Sequence, residues 1–363
     1  MRVLYLMDDV GGGTGNHILA LLPLLKGVEP VFATTGRTVR SRLASAGPEI
    51  FRVPPKRWYE FPVLHQIRMY SDLVRFARDR NVDVIHTYFF WSIFFGRLLK
   101  RRLGVRLLVE NREDLGFQWG RFEYGLLRFR AGEPDRVVCV ADEVRRRVLA
   151  RERVAPEKLT VIHNGLAPAA AGKEGGDLRA ELGIPPGVPV IGAVANFRTV
   201  KRLDRLIRAS RRIRERLPGA RVVLAGRGTE EEGLRKLTTD LGLEGTVLFA
   251  GYRTDVDSTY RTFDVTVLTS ESEGCSITIL ESFDAGVPVV VTDVGGNGEL
   301  VADGENGFLV PEWNEPLFVD RVARILEDGD LRRRLGEAGR TRVRDRHAMG
   351  EVAERYLRVY RGE

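Results

Sequence analysis

The chain has 363 residues, of which 43% are hydrophobic and 29% charged. This length fits two domains of about 150 to 200 residues, and the composition excludes a disordered or fibrous protein. The formal net charge of +7 is uneven: residues 1–165 carry 28 Lys and Arg against 18 Asp and Glu, and residues 166–363 carry 29 against 32. A basic first half favours an anionic partner, namely phosphate groups, an acidic small molecule, an anionic membrane surface or nucleic acid. Arginine-rich solvated helices explain the excess equally well.

The sequence gives no sign of a membrane span or a metal site. No apolar run approaches the roughly 18 residues of a spanning helix, and Asp8 and Asp9 end the first apolar stretch too early for a signal peptide. We therefore predict a cytoplasmic protein. The two cysteines, Cys139 and Cys275, and the five histidines have no zinc-ligand spacing, so no metal is predicted.

The first half alternates short apolar strands with amphipathic helices. The pattern predicts strands at 3–7, 28–34, 50–53, 82–86, 106–110, 135–140 and 159–162. It predicts helices at 15–25, 64–80, 91–103 and 142–151. Continuous Val, Ile and Leu runs separated by helices are typical of a parallel sheet covered on both faces.

A stretch rich in Ala, Gly and Pro at 166–187 predicts a linker, after which the alternation resumes. The predicted strands are 188–195, 221–225, 246–249, 265–268, 287–292 and 307–310. The predicted helices are 202–217, 230–241, 255–262 and 277–285, followed by a helical stretch at 316–361 with breaks at 329–330 and 350.

These elements predict an α/β protein with two Rossmann-like domains, each a doubly wound parallel sheet. The first domain spans 1–165 and the second 188–340. One predicted position for the helical segment 341–363 is against the first domain. Such sheets bind ligands at the carboxyl ends of their strands. We therefore expect the two domains to face a central cleft.

The first strand runs into a glycine-rich loop, Asp-Asp-Val-Gly-Gly-Gly-Thr-Gly at 8–15, before a helix. Glycines such as Gly12 and Gly13 let the backbone approach a bulky anion, and the helix amino terminus offers unpaired N–H groups. The loop has neither the dinucleotide G-x-G-x-x-G pattern nor the Lys-Ser/Thr of a P-loop. It predicts a substrate loop of low specificity, and a tight turn without a ligand is the alternative.

Three cations, Arg198, Lys201 and Arg202, follow the first strand of the second domain, close to Asn196. A lysine at the start of a helix opposes the helix dipole, and a bound diphosphate would compensate for this. Ordinary surface cations are the alternative, because their cost is only about a few tenths of a kcal/mol.

Glu273 and Glu281 flank the start of the helix that follows strand 265–268. The amides of Cys275, Ser276 and Ile277, at the amino terminus of that helix, suit phosphate or sugar oxygens. Glu273 is placed to accept hydrogen bonds from sugar hydroxyls, and Glu281 from both hydroxyls of a ribose. A helix-capping position for Glu273 and a solvated helix face for Glu281 are the alternatives.

Glycines mark two further strand ends in the second domain. Gly226 and Arg227 follow strand 221–225, and Tyr252 comes shortly after strand 246–249. A base or ribose lies at such strand ends in doubly wound sheets.

Taken in order, these pieces resemble glycosyltransferase family 4, over essentially the whole chain. The resemblance implies a GT-B fold and metal-independent transfer of a sugar from a nucleoside diphosphate to a hydroxyl acceptor, with retention of configuration. The matching motifs are V-I-H-N-G at 161–165, V-K-R-L at 200–203, L-A-G-R-G at 224–228, E-G-C-S-I-T-I-L-E at 273–281, A-G-V-P-V-V at 285–290, G-G at 295–296 and D-G-E-N-G at 303–307.

The resemblance also implies roles for individual residues. Lys201 matches the lysine that neutralises the donor diphosphate, Glu273 the carboxylate near the donor sugar, and Glu281 the ribose-binding carboxylate. The other donor-side residues that it implies are Gly12, Gly13, Asn196, Gly226, Arg227, Tyr252, Cys275, Ser276, Ile277 and Thr278.

Two positions depart from the family pattern. Ala195-Asn196 stands where many relatives have Gly-Arg, so Arg198 is the predicted second cation for the diphosphate. Arg112 stands where many relatives carry a cleft histidine. We therefore predict that Arg112 contacts an anionic group of the acceptor, with Asn111 and His86 on the same side.

The resemblance implies no cofactor, and we favour a UDP-sugar donor over a GDP-sugar. The expected acceptor is a hydroxyl-bearing substrate of cell-surface polysaccharide or glycolipid synthesis, or a small anionic molecule. A lipid-linked acceptor would bring the protein to the inner face of the membrane, where the mixed apolar and basic helix at 91–102 suits an interface.

Three other functions compete with this reading. A sugar-nucleotide epimerase or hydrolase on the same fold needs a histidine aimed at the sugar, which this histidine-poor chain does not offer. An NAD-dependent oxidoreductase needs the G-x-G-x-x-G pattern that both halves lack. A basic nucleic-acid-binding protein predicts affinity that falls steeply with salt.

Overall fold

The computed structural model describes residues 1–7, 13–34, 49–52, 63–116, 120–129, 134–167 and 176–363. They form two compact units. The first consists of Met1–Ala167 together with Met349–Glu363, and the second of Pro168–Ala348. Most of the predicted glycine loop, including Gly12, lies outside the described residues.

The first unit is built on a seven-stranded sheet with the order β3-β2-β1-β4-β5-β6-β7, in which neighbouring strands pair in parallel. Its strands are β1 (Arg2–Met7), β2 (Glu29–Thr34), β3 (Glu49–Arg52), β4 (Val84–Tyr88), β5 (Leu107–Arg112), β6 (Arg136–Cys139) and β7 (Leu159–Val161). The helices between them are α1 (Gly13–Leu21), α2 (Val63–Asp79), α3 (Phe90–Leu103), α4 (Arg121–Phe129) and α5 (Asp142–Arg151).

Strand β1 shows why this sheet is covered on both faces. Val3 and Tyr5 pack in one apolar cluster with residues of α1, whereas Leu4 and Leu6 pack in a second cluster with residues of α2 and α3. Successive side chains of a strand point to opposite faces, so an uninterrupted apolar strand requires helices on both sides.

The second unit is built on a six-stranded parallel sheet with the order β10-β9-β8-β11-β12-β13. Its strands are β8 (Val190–Val194), β9 (Arg221–Ala225), β10 (Val247–Gly251), β11 (Val265–Leu268), β12 (Val289–Thr292) and β13 (Gly307–Val310). Its helices are α6 (Leu178–Glu181), α7 (Leu203–Arg216), α8 (Glu231–Asp240), α9 (Val256–Arg261), α10 (Ile277–Asp284), α11 (Asn297–Leu300), α12 (Glu315–Glu327) and α13 (Gly329–Arg346). The predicted pair of doubly wound α/β domains is thereby confirmed.

A last helix, α14 (Met349–Arg361), packs on the sheet of the first unit. Its residues Met349, Val352, Tyr356 and Tyr360 are buried in the same apolar cluster as Val3. The predicted break at Gly350 lies instead just before it, at His347 and Ala348, and Gly350 is the second residue of α14. Within the described residues, no helix combines the length and apolarity needed to cross a bilayer.

Candidate functional site

Lys201 and Glu273 meet at the carboxyl ends of β8 and β11. Lys201 Nζ donates a hydrogen bond of 2.7 Å to Glu273 Oε1, and Ser270 Oγ donates one of 2.6 Å to the same oxygen. The Glu273 side chain is 9% exposed and that of Lys201 24%. A cation and a carboxylate that the chain separates by 72 positions therefore form one partly buried pair.

The loop that carries Glu273 is fixed by backbone contacts. The hydroxyl of Thr269 donates to the carbonyl oxygens of Lys201 (3.2 Å) and Arg202 (2.9 Å), and the amide of Glu271 donates to the carbonyl of Val200 at 2.9 Å. These bonds hold the backbones of the lysine loop and the glutamate loop together.

Two glycines let the loop after β9 lie against the loop after β8. Gly226 has φ +141°, and a Cβ there would fall 1.9 Å from the carbonyl oxygen of Ala195. A Cβ on Gly228 would fall 2.3 Å from that of Phe197. Only glycine permits this approach, which presents the exposed residues Asn196 and Arg198 at the edge of the sheet.

Arg227 and Tyr252 form an exposed pair at the neighbouring strand ends. The Arg227 guanidinium carbon lies 4.8 Å from the centroid of the Tyr252 ring, and the tyrosine is 53% exposed. A cation over an aromatic face is an attractive contact, so the two side chains form one surface at these strand ends.

Helix α10 starts beside the same edge. Ser276 precedes its first turn and makes no capping hydrogen bond with its side chain, and both Cys275 and Ser276 are buried. Thr278 Oγ1 donates to the carbonyl of Val194 at 3.3 Å, which ties the first turn, including Ile277, to the end of β8. The first turn of a helix has N–H groups without intrahelical acceptors, which suits an anion.

Glu281 lies two turns into α10 and is held by Tyr260, which sequence reasoning missed. Tyr260 Oη donates to Glu281 Oε2 at 2.9 Å. Burial raises the pKa of Glu281 to about 7, and the hydrogen bond from Tyr260 opposes this rise. The carboxyl group is therefore poised between its neutral and its ionised form near neutral pH.

Arg112 lies in a buried network of four charges in the first unit. Its guanidinium donates to Glu152 at 3.0 Å (Nε to Oε1) and 2.6 Å (Nη2 to Oε2), and to Glu110 Oε2 at 2.9 Å. Arg97 donates to Glu110 at 2.6 and 2.9 Å. Burial acts to raise the pKa of Glu110, but the two guanidinium groups hold it below its usual value.

This network changes the role expected for Arg112. The residue is 3% exposed and binds two carboxylates of the protein itself. Glu152 comes 40 positions later in the chain, and no local pattern links it to Arg112. The geometry thus gives Arg112 a place in the core instead of the acceptor contact predicted from the sequence.

His86 and Asn111 also lie inside the first unit, under α14. His86 Nδ1 is 2.7 Å from Tyr360 Oη and its Nε2 is 3.1 Å from Asn111 Oδ1. Asn111 Nδ2 in turn donates to Glu113 Oε1 at 2.5 Å. Burial lowers the pKa of His86 to about 3, so the ring is neutral, and both predicted acceptor-side residues are enclosed in the core.

Glu113 is partly buried, less completely than His86 and Asn111, and it hydrogen-bonds to Thr14 at the start of α1. Burial raises its pKa to about 7. Its signal in the sequence is the run Glu-Asn-Arg-Glu-Asp at 110–114.

The second unit therefore gathers the predicted donor-side residues along one sheet edge, except for Gly13, which belongs to the first unit, and Gly12, which lies outside the described residues. Among the described residues, no group of three or more His, Cys, Asp or Glu side chains is arranged to hold a metal ion. Phe90, Ile93 and Leu99 of α3 are buried in the first unit, whereas Trp91, Phe94 and Leu98 are partly exposed. The interface predicted for 91–102 would thus combine these partly exposed apolar side chains with Arg101 and Arg102, which are exposed.

Two family models match successive parts of the chain. The model described as glycosyltransferase family 4 matches residues 11–169, and the model described as glycosyl transferases group 1 matches residues 176–342. Each match coincides closely with one of the two units.

Individual relatives agree with these models. The chain is 35% identical over 181 residues to the lipopolysaccharide core biosynthesis glycosyltransferase LpsE of Rhizobium meliloti, covering 50% of this chain and 52% of that protein. It is 25% identical over 318 residues to N-acetyl-alpha-D-glucosaminyl L-malate synthase of Bacillus anthracis, covering 86% and 80%. The crystal structure of Anabaena HepE in complex with UDP and glucose superposes with a TM-score of 0.88 over 100% of both chains, at 20% identity.

Proposed function

The chain belongs to glycosyltransferase family 4, and we propose that it moves a sugar from a nucleoside diphosphate to a hydroxyl acceptor, with retention of configuration and without a metal ion. The observation that carries this proposal is the Lys201–Glu273 pair, 2.7 Å apart, beside the first turn of α10. It offers a cation for the leaving diphosphate and a carboxylate for sugar hydroxyls within one small region.

In the proposed reaction, the acceptor oxygen forms a bond to the anomeric carbon on the face from which the diphosphate departs. The bond between the anomeric carbon and the diphosphate oxygen breaks, and that oxygen takes the proton of the acceptor hydroxyl. Lys201, Arg198 and the first-turn amides of α10 stabilise the charge that develops on the diphosphate. This is the work that a metal ion does in other enzymes.

The rest of the donor is assigned to the neighbouring strand ends. Glu281 receives the ribose hydroxyls, and the surface formed by Arg227 and Tyr252 borders the base. We propose a UDP-sugar, since HepE, which shares the fold, binds UDP and glucose.

For the acceptor, two chemical classes have counterparts among the relatives. One relative is named for lipopolysaccharide core synthesis and another for L-malate, a small anion. We propose a cell-surface polysaccharide or glycolipid acceptor, with contact to an anionic membrane surface through the basic first half. A small anionic acceptor is the alternative, and a comparison of transfer to malate with transfer to a lipid-linked saccharide separates the two.

The first test is direct. UDP, GDP, ADP and their sugars are screened by thermal shift, in which a ligand at 100 times its Kd stabilises the protein by about 2.7 kcal/mol. With the selected donor, we expect NMR of the product to show the anomeric configuration of the donor, and the rate to survive chelation with EDTA. An inverted product, or hydrolysis as the sole reaction, contradicts the proposal.

The pKa of Glu281 predicts how donor binding depends on pH. Ribose hydroxyls donate hydrogen bonds to an ionised carboxylate, and a group with a pKa of about 7 goes from about one-tenth to about nine-tenths ionised between pH 6 and pH 8. We therefore expect the KM for the sugar nucleotide to fall by up to about tenfold over this range. The diphosphate of a sugar nucleotide does not titrate there, so it does not contribute.

The control is Glu281→Gln, which keeps the shape and removes the titration. We expect this variant to have a raised KM that no longer changes between pH 6 and pH 8. A pH-independent KM in the wild type, or an unchanged slope in the variant, would separate Glu281 from the ribose.

A further inference from the structure

The Lys201–Glu273 pair lies where the diphosphate is proposed to bind. The lysine that is proposed to hold the diphosphate is already bound to a carboxylate, and Glu273 Oε1 also accepts a hydrogen bond from Ser270. The pair is formally neutral. A diphosphate that enters this site thus meets a cation whose charge is already compensated.

The backbones on both sides of the pair are locked. A Cβ on Gly295 would fall 1.8 Å from the carbonyl oxygen of Glu273, and the amide of Gly296 donates to the carbonyl of Gly274 at 2.8 Å. The lysine backbone is held by the Thr269 hydroxyl. Because neither loop can withdraw easily, the part that is free to rearrange is the four-carbon side chain of Lys201.

A bound donor offers different new partners to Lys201 and to Glu273. The ammonium of Lys201 can exchange a carboxylate for a diphosphate, which carries more negative charge. Glu273 loses a charge-assisted hydrogen bond in this exchange, and a partly buried carboxylate pays for that loss unless another donor arrives. A sugar would supply hydroxyl donors to Glu273, whereas a free nucleoside diphosphate, whose ribose hydroxyls are assigned to Glu281, supplies none there.

We infer that the Lys201–Glu273 pair is a placeholder for the donor, which makes the turn of Lys201 toward the diphosphate depend on a sugar at Glu273. This inference rests on the proposed function. It assigns the pair a task in discrimination: a nucleotide that carries a sugar recruits Lys201, and a nucleotide without one does not. After transfer, the ion pair between Lys201 and Glu273 forms again. The nucleoside diphosphate product then binds more weakly, which favours its release.

The test measures the Kd of UDP and of the UDP-sugar by calorimetry for the wild type and Glu273→Gln, with GDP or ADP in place of UDP if the thermal-shift screen selects them. The variant keeps the shape of the side chain but frees the lysine from a charged partner. We expect free UDP to bind about fivefold tighter to Glu273→Gln, which equals roughly 1 kcal/mol. The preference for the UDP-sugar over UDP should fall by about tenfold, because the sugar loses its carboxylate.

Two matched variants separate exchange from general electrostatics. Glu271→Gln removes the same charge two positions earlier in the chain. The Glu271 side chain is exposed and pairs with Arg202 at 3.4 Å, and we expect its replacement to leave the UDP affinity within about twofold of the wild type. In a Lys201→Met background, Glu273→Gln should no longer tighten UDP binding, because the cation that it releases is absent.

The outcomes are distinguishable. If the wild type transfers sugar and binds UDP, but Glu273→Gln binds UDP no tighter, or Glu271→Gln binds it equally tighter, the placeholder is overturned and the proposed function stands. If the wild type binds neither UDP nor any other nucleotide of the screen, both are overturned. Circular dichroism of each variant confirms that the affinities compare folded proteins.

Discussion

Lys201→Ala should lower kcat by about 10²- to 10³-fold, the usual cost of removing one group that stabilises charge in a transition state. The reason is that Lys201 is the cation which the structure holds at the mouth of β8 and β11, next to the first turn of α10. The KM for the donor should change much less, since the benefit of the cation grows as charge builds on the leaving diphosphate. Steady-state kinetics with a saturating acceptor measure both constants.

Lys236→Ala is the matched control for this variant. Lys236 lies in the same unit and pairs with Asp240 at 2.7 Å, but its side chain is 73% exposed. The same truncation there should leave kcat unchanged and unfolding free energy within about 1 kcal/mol of the wild type. A kcat of Lys201→Ala within threefold of the wild type would remove Lys201 from the mechanism.

Arg112→Met should destabilise the first unit by about 3–5 kcal/mol, the cost of leaving a buried charge without its partner. Glu152 has a side chain that is 3% exposed and receives three hydrogen bonds from Arg112, and Glu110 would keep only Arg97. Chemical denaturation measures the effect, and we expect the transition of the first unit to move to a lower denaturant concentration.

Arg146→Met provides the comparison for a surface ion pair. Arg146 binds Glu143 one helical turn away, at 2.6 Å, with 68% of its side chain exposed. Its removal should cost less than about 1 kcal/mol. Equal losses of unfolding free energy in the two variants would show that the buried network of Arg97, Glu110, Arg112 and Glu152 stabilises the protein no more than a surface ion pair does.

Both sheets could be predicted from local sequence because their strands are apolar on both faces. Strands 221–225 and 265–268 agree with the structure at both ends, since turn residues or helix breaks delimit them. The helix Arg121–Phe129 was missed because Gly125 interrupts an already short apolar pattern. The start of the last helix was misplaced because glycine normally weakens a helix, whereas Gly350 is accommodated near the start of a helix whose buried side is fixed by tertiary packing.

The candidate site also has a part that local sequence predicts and a part that it does not. Loop glycines and the start of α10 are local features, and they place the predicted donor-side residues on one edge of the second sheet. Partners are not local: Tyr260 reaches Glu281 from another helix, and Glu152 reaches Arg112 from 40 positions away. A sequence pattern shows that an arginine is present, but its partners decide whether it meets a ligand or the protein's own carboxylates.

The placement of α14 has a consequence for how the protein is made. The chain leaves the first unit at residue 167 and re-enters it at residue 349, so the second unit interrupts the first in sequence. Synthesis proceeds from the amino terminus, and the face of β1 with Val3 and Tyr5 obtains its cover from Tyr356 and Tyr360 only when α14 has left the ribosome. The core of the first unit is therefore completed only after the whole second unit has been synthesised.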